Sequence, residues 1–281
     1  MQVLALGTAQ WGNSYGVTNA EGRLSDLRIS ELAQTALNLG IRSVDTAAGY
    51  GNAQERLRPW AKEFLVTTKI SGASQETVAT QVSSSLTELG LSNVHACLVH
   101  DWAALSVEEQ ERSAKALTEL QRDGVVNRVG VSAYDRIDID RALEAFSELG
   151  CVQIPLSILD QRLIVEESII KELTSRGAEV QARSIFLQGL LAAESKVALA
   201  QHPAVRNFHQ WCSNNGYRPL KAAVSFIKGL DWIETVVVGV TSVAELEEIS
   251  LAWNTTIQIS NVDTLASQDL SLIDPRTWVK L

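Results

Sequence analysis

The rhythm of secondary-structure signals constrains this chain more than any single residue does. Short β-rich runs alternate with helix-period segments from one end to the other. The strand candidates are Val3–Gly7, Arg42–Asp45, Leu65–Lys69, Ala96–His100, Arg128–Ser132, Cys151–Ile154, Glu179–Arg183 and Thr235–Gly239. Between them lie helix candidates at Ser30–Leu39, Gln54–Lys62, Glu76–Leu89, Val107–Asp123, Ile137–Leu149, Val165–Arg176, Ala204–Asn214 and Arg218–Gly229. Ser30 precedes ELAQTALNLG, where Leu32, Ala36, Leu37 and Leu39 make an apolar face and Gly40 ends the helix. In Val107–Asp123, acidic and basic residues alternate around Ala114, Leu117 and Leu120, and Gly124 terminates the run. The strands read as apolar and mostly continuous, the pattern of a sheet covered by helices on one face and packed on the other.

Units of strand then helix imply βαβ crossovers and a parallel sheet. Eight of them favour a closed (β/α)8 TIM barrel over an open, doubly wound sheet. The segment after the first strand, LGTAQWG, lacks the GxGxxG start of a dinucleotide-binding helix, which also weighs against the open sheet. With 281 residues and 46% hydrophobic content, the chain can bury one large core, and roughly 250 residues is ordinary for one such barrel. No linker, low-complexity tract or charge block divides it. Residues 1–281 therefore read as a single barrel domain. The tail after Ala252, ending LSLIDPRTWVKL, is expected to form a short helix and an arm packed on the barrel.

Charge and cysteine usage narrow the partners. With 24 basic against 33 acidic residues the net charge is −9, which repels nucleic acid and anionic membrane surfaces. Cys97, Cys151 and Cys212 are odd in number and form no CxxC pair, so reduced, mostly buried thiols of a cytoplasmic protein are expected. The N-terminus has no basic region before its first strand, unlike a signal peptide. No apolar run approaches the ~18 residues of a membrane-spanning helix. The cysteines and four histidines show no ligand spacing, so no metal is expected.

Polar residues that bear chemistry gather at strand ends. Asp45 and Tyr50 flank the loop in SVDTAAGYG, Lys69 lies in FLVTTKI at the end of its strand candidate, and His100 ends HACLVH. Successive strand ends are where a parallel barrel builds its site. A phenol near pKa ~10 is a poor acid at neutral pH, and a buried ammonium held by a carboxylate can lower it. Asp45 is the natural partner for Lys69, whose unpaired ammonium would be expensive to bury. Together they suit Tyr50 to give a proton to a carbonyl oxygen that His100 orients. Taken singly, each residue has a plainer reading: Asp45 as a helix cap, Tyr50 as an interface aromatic, Lys69 reaching solvent, His100 satisfied by a neighbour. Trp11, Asn13, Tyr15 and Trp102 fall near the expected mouth, and Trp11 and Trp102 are the candidates for a substrate wall, with packing of the mouth loops as the alternative.

LGTAQWG, DTAAGYGNAQERL, TTKI, LVHDW, GVSAY, QIPLSILDQR, ARSIFLQGLL and VVVGVTSVAELEEI follow one another in the order of the aldo-keto reductase superfamily. Over nearly its whole length the chain resembles that superfamily's short bacterial members. The resemblance implies a barrel that uses NADP or NAD to reduce an aldehyde or ketone, or to oxidise the alcohol. Tyr50 would be the acid, Lys69 and Asp45 its activators, and His100 the orienting residue. The partner expected is a small-molecule carbonyl substrate, with sugar derivatives among the candidates because aromatic walls suit them, and the chain is expected to be a monomer or weak homo-oligomer.

By the same resemblance, Ser132 and Gln153 would hold the nicotinamide carboxamide, although Ala133 stands where many members have Asn. Arg183 stands where longer members carry a Tyr stacked on the nicotinamide ring. Ser184, Phe186 and Gly189 would meet the pyrophosphate, and Gly239, Val240, Thr241 and Ser242 the adenosine phosphate. Two departures bear on cofactor choice: Glu245 replaces the Arg that NADPH-specific relatives set against the 2′-phosphate, and Ile249 replaces an Asn at the adenine. Residues 235–250 contain no Lys or Arg, so a weakened NADPH preference is expected unless Arg218, Lys221 or Lys228 reaches in. The altered cofactor segment leaves two alternatives: a nucleotide-binding sensor barrel, or a non-redox lyase or epimerase using Tyr50 and Lys69 as acid and base.

Overall fold

A computed structural model describes residues 2–278. Eight parallel strands close into a barrel in chain order: β1 (Val3–Gly7), β2 (Ser43–Asp45), β3 (Leu65–Ile70), β4 (Val94–Val99), β5 (Val126–Ser132), β6 (Cys151–Pro155), β7 (Glu179–Arg183) and β8 (Thr235–Gly239), with β8 pairing back to β1. This is the expected TIM barrel. Around it lie α1 (Asp26–Asn38), α2 (Ala53–Leu57), α3 (Val78–Leu89), α4 (Val107–Arg122), α5 (Arg136–Ala145), α6 (Glu167–Ser175), α7 (Pro203–Asn214), α8 (Pro219–Lys228) and α9 (Val243–Asn254). The main core fills the space between strands and helices, where Leu32, Val66, Leu117, Val129, Phe146, Val180 and Phe208 are buried. No helix among the described residues is long and apolar enough to cross a membrane.

Several helix boundaries differ from expectation for local reasons. α1 starts five residues earlier than the Ser30 signal, at Ser25, whose hydroxyl accepts from the Arg28 amide at 3.2 Å. That first turn brings Ile29 into the core beside Leu32, Ala33 and Ala36, while Leu39 is left exposed. The expected helix Gln54–Lys62 is instead α2 followed by a 3-10 turn at Ala61–Glu63. Pro59 between them has no amide hydrogen to continue the ladder. Beyond α9, single turns at Leu270–Ile273 and Pro275–Thr277 carry the arm back to the mouth. Val279, Lys280 and Leu281, the end of that expected arm, lie outside the described residues.

The strands are less uniformly apolar than the sequence suggests. Glu179, Gln181 and Arg183 alternate along β7, and Thr67 and Lys69 along β3. With side chains alternating between the faces of a strand, such a series lines the barrel interior. A buried polar chain results. The Gln153 amide donates to Asp45 Oδ1 (2.7 Å) and Gln181 Oε1 (3.0 Å), and the Gln181 amide donates to Thr67 Oγ1 (3.2 Å) and Glu179 Oε1 (2.9 Å). At the base of the barrel Thr235 Oγ1 donates to Glu179 Oε1 at 2.7 Å, and His95 Nε2 meets Glu179 Oε2 at 2.7 Å. Burial opposes a charge on Glu179, yet these hydrogen bonds hold its carboxyl down at about 2.

Candidate active site

Register explains how the polar residues meet. Gly7 of β1 lies opposite Asp45 of β2, and Asp45 lies opposite Thr67 of β3. Lys69 is two residues beyond Thr67 on the same strand face, so its side chain reaches back across the sheet. Its Nζ donates to Asp45 Oδ1 at 2.5 Å and to the Thr46 carbonyl at 3.2 Å, and both side chains are almost wholly buried. Tyr50 is placed by a close backbone crossing. A Cβ on Gly12 would lie 1.7 Å from the Tyr50 carbonyl oxygen, and Gly51, at φ +57°, faces the Gly12 carbonyl in turn. No larger residue fits at Gly12 without moving the loop that carries the phenol.

The four expected residues are neighbours. Lys69 Nζ lies 5.3 Å from the Tyr50 ring centroid, and the Tyr50 and His100 rings meet edge to face with centroids 5.7 Å apart. Asp45, Tyr50 and His100 line a cavity of about 710 Å³ at the C-terminal mouth, while Lys69 sits behind Asp45. The electrostatics depart from expectation in one respect. Burial raises the Tyr50 phenol, the Asp45 carboxylate raises it further, and Arg183 opposes them. The cation that pulls the phenol down is Arg183, while the Lys69 ammonium is paired with Asp45. The Lys69 ammonium is itself pulled down by burial, with Asp45 opposing. Burial and the nearby Lys69 charge bring His100 down to about 4, so its imidazole is neutral at neutral pH.

The residues assigned to the cofactor divide. Gln153, Arg183, Ser184, Phe186, Gly189, Gly239, Val240 and Thr241 line the cavity. Ser132 and Ser242 do not: Ser132 is buried at the end of β5 opposite Gln153, and Ser242 is spent as the α9 cap, accepting from the Glu245 amide at 3.3 Å. Both hydrogens of the Gln153 amide are committed to Asp45 and Gln181, which leaves its carbonyl oxygen as the group available to a ligand. In the loop after β7, Ser184, Leu187 and Gln188 adopt positive φ (63°, 46° and 52°), a conformation costly for residues with a Cβ. That loop is tied across the mouth: the Val17 amide donates to Gln188 Oε1 (3.1 Å) and Thr18 Oγ1 to the Gln188 carbonyl (3.0 Å).

Trp11 and Trp102 are a correction. Both are fully buried and neither lines the cavity. Trp102 packs against Phe146 and donates its indole hydrogen to the Asp138 carbonyl at 2.9 Å. Of the other two aromatic or amide candidates, Tyr15 lines the cavity and Asn13 does not. Sequence reasoning missed Gln10, Tyr134 and Arg276. Tyr134 closes the quoted GVSAY run, in the loop two residues beyond the end of β5. Arg276 comes from the C-terminal arm and had no local signal.

At the far end of the cavity, Glu245 folds over the start of α9. Its Oε2 accepts from the Thr241 amide at 2.7 Å, and both carboxylate oxygens lie 3.1 Å from Thr241 Oγ1. Of the three possible basic visitors, Arg218 pairs with Glu248, which lines the cavity; Lys228 donates to the Trp253 carbonyl and lies over its ring. Ile249 lines the wall as a buried residue. All three cysteines are free and buried, and no metal-ligating cluster occurs among the described residues.

The Aldo/keto reductase family model matches residues 3–269. An aldo-keto reductase of Mycolicibacterium smegmatis is 32% identical over 127 residues, 42% of this chain and 44% of that protein. The methylglyoxal reductase of Escherichia coli is 27% identical over 117 residues, 40% of this chain and 42% of that protein. The chain thus spans about half the length of the curated relatives it matches. Among solved structures, a holo-form aldo-keto reductase of Bacillus halodurans superposes with TM-score 0.76 at 17% identity, covering 98% of this chain and 95% of that one. A glycerol dehydrogenase of Gluconobacter oxydans superposes with TM-score 0.70 at 19% identity over 99% and 94% of the two chains. At such identities these two likenesses concern the fold alone.

Proposed function

The chain belongs to the aldo/keto reductase family, and from that premise we propose that it reduces an aldehyde or ketone with a nicotinamide dinucleotide, Tyr50 giving the proton. The observation that carries this reading is the buried Lys69–Asp45 pair beside Tyr50 and His100 at the cavity wall. The residues fit a dinucleotide. The cavity runs from Asp45 and Tyr50 to Glu248 and Ile249, and one of its lining residues, Gln10, holds a buried polar atom without a partner. Gln153 Oε1 would accept from the carboxamide, while Ser184–Gly189 and Gly239–Thr241 would carry the phosphates. A bound reduced nicotinamide supplies the hydride.

The raised phenol suits the task. Tyr50 stays protonated across the neutral range, so the donor is always loaded. The alkoxide that develops on substrate is a stronger base than a phenolate, so the proton still moves downhill. The phenolate left behind is then stabilised by the cation of Arg183, the one that pulls the phenol down. Neutral His100 presents a ring N–H to the carbonyl oxygen without competing as the acid.

Cofactor choice follows from Glu245. Its carboxylate occupies the Thr241 amide and sets negative charge at the start of α9, where a 2′-phosphate would need a cation. NADH is therefore accepted at least as well as NADPH. Fluorescence titration of both nucleotides tests this: NADPH binding about 100-fold tighter, roughly 2.7 kcal/mol, would defeat it. The activity itself is tested by steady-state oxidation of NADH and NADPH with an activated aldehyde, wild type against Tyr50→Phe. Turnover lost in the variant supports the reductase. Tight nucleotide binding without turnover on any carbonyl identifies a sensor, and product formed without nucleotide identifies a lyase.

A further inference from the structure

Two arginines line the cavity, and they differ in one respect. Arg276 is held in a bidentate pair with Asp274, Nε to Oδ1 at 3.0 Å and Nη2 to Oδ2 at 2.6 Å. Arg183 has no carboxylate partner among the described residues. Its one hydrogen bond there is a long one, 3.4 Å from Nη2 to the Ala133 carbonyl, and its Nε is buried without any partner. A guanidinium offers five hydrogens in a rigid fork. Arg183 is half-buried at the cavity wall, and leaving its buried Nε unpaired is unfavourable unless a ligand completes it.

The direction of this fork separates it from the phosphate-binding end. Both the hydrogen bond to Ala133 and the stacking of Arg183 over the Tyr134 ring, at 4.3 Å, draw the guanidinium toward β5. The start of α9, where the dinucleotide phosphates would lie, follows β8 on the other side of β7. Arg276 stacks on the same Tyr134 ring at 3.6 Å, so the arm from the C-terminal end braces the platform. Arg183 also acts electrostatically on Tyr50 and His100. The unpaired cation therefore sits within the field of the proposed acid rather than at the adenosine end.

We propose that Arg183, braced through Tyr134 by Arg276, binds an anionic group of the substrate, a carboxylate or a phosphate carried by the aldehyde or ketone. A carboxylate or phosphate matches the guanidinium fork bidentately and satisfies the orphaned Nε. The same contact fixes the carbonyl against Tyr50 and His100 from a remote point of the substrate. This deepens the reductase reading, and its turnover arm rests on that reading.

The test compares charged and uncharged partners of the same aldehyde: succinic semialdehyde against its methyl ester, and glyceraldehyde phosphate against glyceraldehyde. Wild type should favour the anion in at least one pair by about 30-fold or more in kcat/KM, the effect of a desolvated charge pair. The pair that shows it separates carboxylate from phosphate. Arg183→Gln should bring that ratio near one whatever its absolute rate, and Arg183→Lys, which keeps the charge but not the fork, should fall between. Calorimetric titration of succinate and of inorganic phosphate, without nucleotide, supplies a readout independent of turnover: binding by wild type and not by Arg183→Gln is expected. No preference for the anion in either pair, a preference that survives in Arg183→Gln, or weakened NADH binding with the preference intact would each overturn the inference. Loss of all turnover with intact anion binding sinks the reductase reading and leaves the anion site standing.

Discussion

Removing Asp45 tests the electrostatics of the site more sharply than removing Tyr50. In Asp45→Asn the Lys69 ammonium keeps the Thr46 carbonyl, 3.2 Å away, and loses the carboxylate at 2.5 Å that offsets its charge. Lys69 is 1% exposed, so no water replaces the lost partner. Breaking a buried pair from one side costs about 3–5 kcal/mol. The cost depends on pH with a definite sign. Burial already lowers Lys69 below its ordinary value, and Asp45 is the main influence holding it up. Without Asp45 the folded-state value falls further, so over a wider pH range the unfolded chain binds a proton that the folded chain does not. The Lys69 contribution to the stability of the variant then rises with pH by up to about 1.4 kcal/mol per unit, while in the wild type the same contribution stays flat until its own Lys69 titrates. Urea unfolding at several pH values should show the gap between wild type and variant narrowing toward alkaline pH. Asp45→Asn combined with Lys69→Met removes both charges and should be less destabilised than Asp45→Asn alone. A gap independent of pH, or a double variant whose loss equals the sum of the singles, would refute this reasoning.

Three further outcomes follow from the geometry. His100 sits at about 4 in the fold against an ordinary value near 6.5, so the unfolded chain takes up its proton first. Stability should fall as pH drops from about 6.5 toward 4, and urea unfolding of His100→Asn should lack that component. Gly12→Ala sets a Cβ 1.7 Å from the Tyr50 carbonyl oxygen; a loss of about 1–3 kcal/mol and of most activity is expected, and an unchanged melting temperature would contradict the crossing. Trp102→Ala removes a fully buried indole and its bond to Asp138. It should lower stability by about 3–5 kcal/mol with KM unchanged, whereas a KM effect without a stability loss would return Trp102 to the substrate wall.

The barrel was legible because its signal is distributed. Three of the strands, Val3–Gly7, Glu179–Arg183 and Thr235–Gly239, have the expected bounds. The quartet was legible as a neighbourhood, since strand ends share one face of a parallel barrel. Its electrostatics were not: the effect of Lys69 on Tyr50 depends on a 2.5 Å partner and on burial, and neither has a sequence signature. The two tryptophans misled because they lie in short helical turns after β1 and β4, where nearness to the mouth does not fix whether a residue faces the cavity or the core. The polar series Glu179, Gln181, Arg183 was visible at period two but submerged in a reading of the strands as apolar. Arg276 was invisible because it returns to the mouth from the far end of the chain, a contact that only the closed tertiary structure makes.

One isotope experiment bears most directly on the proposed chemistry. An aldehyde is turned over with NADH deuterated at the transferable position, and the alcohol is analysed by mass spectrometry for wild type and Tyr50→Phe. The prediction is one deuterium on the former carbonyl carbon with wild type, and no alcohol above background with the variant. Alcohol free of deuterium, or a Tyr50→Phe protein that turns over at the wild-type rate, would contradict the role given to Tyr50 beside the Lys69–Asp45 pair.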